Sequence, residues 1–198
     1  FLREQNCEVV VPGLMGFVVY CVANNVLDTK FYGRSRGIGF IFNIVLKGLE
    51  KWELLIKEVI GNDKRFFAPG GYKHLFELTK GVIDLGVKMG EGWLLPAEMV
   101  ELTKEGVHNI VCAQPFGCLP NHIVGKSVLK RIKELYPESN ITPIDYDASA
   151  SRVNQENRIK LMLAVAKEQL ENQNKRIEKQ KEETFKKNKK EEDKKLAV

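Results

Sequence analysis

No run of apolar residues in this chain is long enough to cross a bilayer, because charges or glycines break every such stretch. No charged leader followed by an apolar core opens it, so no secretory signal is read. Cysteine is scarce: Cys7, Cys21, Cys112 and Cys118 are the only four in 198 residues. A lysine-rich chain of this length with so few cysteines is not a small disulfide scaffold. No sign of charge dominates either, since 31 basic residues against 26 acidic ones leave a formal +5. Much of that excess sits in a C-terminal tail of mixed sign, whereas a nucleic-acid binder concentrates basic charge on a folded face. The glycine-rich fingerprints of ATPases and dinucleotide enzymes are missing, as is any internal repeat. What remains is a cytoplasmic chain in a reducing compartment, with neither a membrane nor a nucleic-acid partner expected.

Hydrophobic residues make up 43% of the sequence, enough to build a core. Short β-branched runs at Glu8–Pro12 (EVVVP), Asn109–Ala113 (NIVCA) and Asn140–Ile144 (NITPI) predict three buried strands. Helical spacing predicts helices over Phe40–Ile60, Tyr72–Leu85, Leu95–Glu105, Asn121–Leu135 and Asn154–Ala166, with Gly106 placed to cap the third. Gly13–Asn25 is apolar and helical or irregular. Asp28–Gly39 reads as a glycine-rich loop with two arginines, open to an anion but more in keeping with a plain loop. Ala68–Gly71 is a turn signal, and Gly86–Gly92 a glycine-rich connection. Strands alternating with helices imply an α/β fold, a parallel sheet with helices on both faces. Residues 1–166 form that domain, with 13–85 as a helix-rich insertion or lid. From Glu168 onward the sequence is almost wholly Glu, Lys, Asn and Gln, so 167–198 is a charged tail, a frayed solvated helix or disordered. Phe1–Arg3 reads like the inside of a helix, and a start at Phe1 fits a fragment of a larger polypeptide.

Chemistry concentrates in Cys112–Lys126 (CAQPFGCLPNHIVGK), between the end of a strand and the start of a helix. Ligands of open α/β sheets bind outside the carboxyl ends of strands, where a helix N-terminus adds free N–H groups. A thiolate there is a candidate iron ligand. The Cys-x5-Cys spacing matches neither a zinc ribbon nor a ferredoxin, and cysteine packs readily as a small buried hydrophobe. On spacing alone, burial is therefore the stronger reading of Cys112. His122 and Lys126 lie just beyond, read as a packed ring and a solvated amine. Asp145 and Asp147 end the third strand, where helix capping outweighs metal or ribose binding. Trp93 reads as core.

Three segments, GEGWLLPAEMVEL from Gly90, CAQPFGCLPNHIVGK from Cys112 and ITPIDYDASASRVNQENRIKLML from Ile141, together resemble the C-terminal region of the large multidomain activases of 2-hydroxyacyl-CoA dehydratases. That region is itself similar to the dehydratase subunits, and the opening CEVVVPGLMGFVVYCVANN fits it too. The likeness covers roughly residues 1–166. It implies Rossmann-like, flavodoxin-like lobes and a cubane 4Fe-4S iron–sulfur cluster held by cysteines from more than one lobe. It implies Cys112 as the first ligand candidate and Cys118 as the second, with weaker claims for Cys7 and Cys21. The implied partners are ATP-dependent activase domains, which pass one electron at low potential, and dehydratase subunits, which remove water from a 2-hydroxyacyl-CoA; a homodimer stays open. Without phosphate motifs or a full ligand set, the isolated chain is expected to turn over neither ATP nor acyl-CoA. The other reading is a non-catalytic α/β domain that binds a partner protein or a small anionic ligand.

Overall fold

The computed structural model describes the backbone of residues 1–61 and 70–196, and side chains as far as 181 with that of Thr184. The expected turn at Ala68 and Pro69 falls outside these residues. Helices α1 (Leu14–Phe31), α2 (Arg36–Ile60), α3 (Tyr72–Leu78) and α4 (Leu94–Lys104) precede strand β1 (Asn109–Pro115). Helix α5 (Leu129–Leu135), strand β2 (Asn140–Tyr146) and helix α6 (Arg152–Leu196) follow. The fold is thus mixed α/β with a parallel two-stranded sheet. None of the described helices is long and apolar enough to cross a membrane.

Two of the three expected strands pair, in register from Asn109 opposite Asn140 to Pro115 opposite Tyr146. Val9–Pro12 belongs to no strand and makes no backbone hydrogen bond to any described residue, which corrects the expectation of a third buried strand. A β-branched run supplies a preference for extended backbone, but a strand exists only with a neighbour to pair with. The first residues also differ from expectation: Arg3–Gln5 form one 3₁₀ turn.

Both faces of the small sheet are covered, as expected. Ile110 and Cys112 pack into the larger core with Met99 and Val100 of α4 and Ile132 of α5. On the opposite face, Ile144 and the half-buried Val111 meet Ile159, Met162 and Leu163 of α6. Period-two alternation along β1 produces this division directly. Helix α4 stops where expected: Gly106 takes the left-handed conformation at φ 88°, and the N–H groups of Gly106 and Val107 donate to Thr103 and Leu102. Those two bonds satisfy carbonyls that the helix end would leave open.

The expected loop over Asp28–Gly39 shrinks to a short link, because α1 runs on through Asp28 to Phe31 and α2 begins at Arg36. Asp28 is buried and paired with both Lys88 and Arg34, so it is held in part by a residue sixty positions away. Arg34 also donates to Asn25 at 2.6 Å and is no free anion receptor. Gly39 lies where α1 and α2 touch: a Cβ there would stand 2.3 Å from Thr29 Oγ1. The Gly86–Gly92 connection is stitched to α1 by Tyr20 and Tyr32, whose hydroxyls donate to the Lys88 and Gly86 carbonyls at 2.6 Å. A Cβ on Gly92 would meet the Val87 carbonyl at 2.3 Å, so its glycine serves packing. Trp93 is fully buried between Tyr20 and Phe76, and its indole N–H donates to Asn24 at 2.9 Å. Truncating a core aromatic of this kind to alanine costs about 3–5 kcal/mol.

The expected Tyr72–Leu85 helix ends at Leu78, ahead of Gly81 at φ 75°. The expected Asn121–Leu135 helix is split into a π-helical turn, Asn121–Gly125, and α5. The tail is helical to Leu196, and beyond Ala166 every described side chain is exposed. Deleting residues 167–198 should therefore leave the thermal unfolding midpoint unchanged within error. Loss of a cooperative transition in the truncated chain would contradict this.

Glu53, Glu98 and Glu101 are three of the five glutamates that line one cavity beside α2 and α4. Burial is the first cause raising each carboxyl's pKa, and it carries Glu98 to about 7. A carboxyl that binds its proton more tightly when folded destabilises the fold as pH rises from the ordinary glutamate range to the folded pKa. The melting temperature should fall between pH 5 and pH 8, and Glu98→Gln should recover about 2–4 °C at pH 8. A wild-type chain that melts higher at pH 8 would contradict that sign.

Candidate functional site

Strand β1 delivers the sequence straight into the cysteine loop. Gln114, fully buried at the strand end, donates through Nε2 to the Asn121 carbonyl at 3.1 Å and lies 3.9 Å from Cys112 Sγ. Its Oε1 has no hydrogen-bond partner among the described residues. The strand end is thereby tied to the π-helical turn that closes the loop. Gly117, at φ 69°, makes the reversal between them in a conformation that disfavours a side chain. Gly125 lets the turn sit directly on the strand, since a Cβ there would stand 3.4 Å from Cys112 Sγ.

The two candidate cysteines occupy different environments. Cys112 is 5% exposed within the main core, and burial pushes its thiol pKa up. It faces the core side of the sheet, and the neutral thiol is favoured there. Cys118 is half-buried on the loop, and Asn121 Nδ2 donates to its Sγ at 3.1 Å. Asn121 carries no weight in the sequence reading, yet it stands three positions after Cys118, where the turn brings it back. Phe116, Leu119 and Ile123 surround this loop with exposures of 80%, 67% and 62%.

A second constellation lies beside the loop, at the end of β2. Asp145 accepts from Lys126 Nζ at 2.9 Å, with His122 Nδ1 at 3.7 Å and Arg158 at 4.0 Å. The hydrogen bond from Lys126 is the first cause holding the Asp145 carboxyl below its usual range. Lys126 is paired here, and His122 is half-buried beside the acid. Asp145 caps no helix. Asp147 does local work instead, accepting from the Ser149 N–H and hydroxyl at 2.8 Å each. Lys126, His122 and Arg158 share this one carboxylate.

Among the described residues, no three His, Cys, Asp or Glu side chains stand together as a metal site. Cys7 is half-buried near the sheet and Cys21 exposed on α1, each in a different part of the fold from the loop. An iron–sulfur cubane is held by several thiolates. The donor set here fits one contributed ligand, Cys118, better than a complete site. Compared with family models, curated proteins and solved structures, the chain matches none of them.

Thiol labelling separates the two environments. Under native conditions Cys118 should react with an alkylating reagent at least about tenfold faster than Cys112, because burial and a raised pKa both slow the latter. Peptide mapping by mass spectrometry reads the two sites separately. Equal rates at Cys112 and Cys118 would contradict the assigned burial.

Proposed function

We propose that this chain is a lobe of an iron–sulfur protein of the 2-hydroxyacyl-CoA dehydratase and activase group, and that Cys118 is its ligand to a cluster completed by a partner lobe. One observation carries the reading: Cys118 stands just beyond the carboxyl end of a parallel strand, half-buried, in a stretch that exposes Phe116, Leu119 and Ile123. A thiol at a strand end is open to a ligand, and an apolar collar around it suits a surface that another lobe covers. The flavodoxin-like sheet of that family belongs to the same proposal, with β1 and β2 as two of its parallel strands. When bound, such a cluster supplies low-potential one-electron transfer. The partners on this reading are ATP-dependent activase domains and dehydratase subunits.

The residues of this chain have definite tasks on that reading. Asn121 orients the Cys118 sulfur through its N–H, and Gly117 and Pro120 shape the loop that presents it. Gln114 fixes the loop to the strand. Cys112 fills the core beneath Gly125. The reading inverts the order of the two candidates, because the family likeness favoured Cys112 and the environment favours Cys118. A second reading, an α/β domain that binds a partner without a cluster, rests on the same apolar collar.

Anaerobic purification of the full-length protein, followed by iron and sulfide analysis, separates the two. Cys118→Ser should lower bound iron severalfold, while Cys21→Ser leaves it unchanged. Cys112→Ser should retain the iron and lose about 1 kcal/mol of stability, as core substitutions commonly do. Iron near zero in the unmodified protein would favour the partner-binding reading. Loss of iron in Cys112→Ser alone would restore the opposite assignment.

A further inference from the structure

Two hydrogen bonds at the ends of the sheet fix its alternation: Asn140 N–H donates to the His108 carbonyl at 2.7 Å, and Phe116 N–H to the Tyr146 carbonyl at 3.0 Å. In a parallel ladder, alternate residues of each strand bond to the same neighbour. With this register, Ile110, Cys112 and Gln114 turn their backbone groups toward β2. Val111 and Ala113 turn theirs the other way. Pro143, which has no N–H, falls on the outer edge of β2, where no donor is required. Pro thus marks β2 as an edge strand. The run NIVCA has the composition of a strand covered on both faces, and its second edge has no strand beside it among the described residues.

That free edge opens onto a cavity of about 550 Å³. Leu95, Met99 and Leu102 of α4 form one wall, and Met162 and Leu163 of α6 the other. The two helical layers that sandwich the sheet therefore continue past β1 and enclose an empty strip beside it. Val9–Val11 also lines this cavity, with no backbone hydrogen bond to any described residue, and Val11 is 76% exposed. Main-chain donors and acceptors along the β1 edge, apolar walls from α4 and α6 and an unpaired β-branched segment in the same lining together outline the place of one further strand.

We propose that the cavity beside β1 is a binding site for one extended apolar strand of a partner polypeptide, which pairs with Val111 and Ala113 on one edge and with Val9–Val11 on the other. The pairing supplies affinity through the main chain, and the α4 and α6 walls select apolar side chains on both faces of the strand. A strand with proline or charge at its centre is excluded, because it would lose a ladder bond or bury a charge. The inference is independent of the cysteine reading, since none of its contacts uses Cys118.

Amide hydrogen exchange, read residue by residue on residues 1–198, tests it with a defined probe. The probe is a stretch of seven valine and isoleucine residues flanked by lysines. The same peptide N-methylated at alternate residues is the control. In the free chain, Val111 and Ala113 should exchange at least about tenfold faster than Cys112 and Gln114. Saturating probe should slow Val10, Val111 and Ala113 at least tenfold and leave Cys112 and Gln114 unchanged, and the methylated peptide should have no such effect. Three results would overturn the proposal. Val10, Val111 and Ala113 already slow in the free chain, at any concentration, would mean that Val9–Val11 closes the gap itself. Protection that grows with protein concentration would assign the site to a second copy. No change with probe at millimolar concentration would remove the site.

Discussion

Seven residues of β1 pair in parallel with seven of β2, and the direction in which each turns its backbone decides the rest of this half of the molecule. Because the side chains alternate, Ile110 and Cys112 enter the core beneath α4 and α5, while Val111 meets α6. Because the backbone groups alternate as well, one edge of β1 is closed by β2 and the other faces the cavity. The carboxyl end of the same strand carries the loop that exposes Cys118. A slip of one residue in this register would exchange the two faces and bring Ala113 and Val111 into the place of Cys112 and Ile110. Sheet, core and candidate site thus share one constraint.

The helical part supports that ladder from one side. Helix α1 is anchored to the Gly86–Gly92 connection by Tyr20, Tyr32, Asp28 and Asn24, and Trp93 sits at the centre of the joint. Helix α4 begins at that joint and ends in a glycine cap whose next strand is β1. The route from α1 to the cysteine loop is therefore continuous packing. Helix α2 contributes differently: it packs on α1 through a close approach at Gly39 and leaves Trp52 and Val59 largely exposed.

Much of this was legible in the residues. NIVCA and NITPI stand out as strands because β-branched runs are bounded by turn signals, and Gly106 marks the end of α4 by its left-handed backbone. EVVVP carries the same local signal, yet pairing depends on a neighbour that the local sequence does not name. Asp28–Gly39 read as a loop because of its glycines, whereas the partner of Asp28, Lys88, lies far along the chain. At the candidate site, the strand end and its turn were readable, and so was the burial of Cys112. The bond from Asn121 to Cys118 and the sharing of Asp145 among Lys126, His122 and Arg158 arise from a π-helical turn that helical periodicity alone does not distinguish from an ordinary helix.

Strand β1 is closed by β2 on one edge and has no strand beside its other edge among the described residues, with the Cys118 loop at its end. Scalar couplings across hydrogen bonds, measured by NMR on isotope-labelled protein, report that ladder bond by bond. The account predicts couplings from the amides of Ile110, Cys112 and Gln114 to the carbonyls of Asn140, Thr142 and Ile144, with none between Val9–Val11 and Val111 or Ala113. Couplings that join Val10 to Val111 or Ala113, or that start from Val111 toward β2, would contradict it.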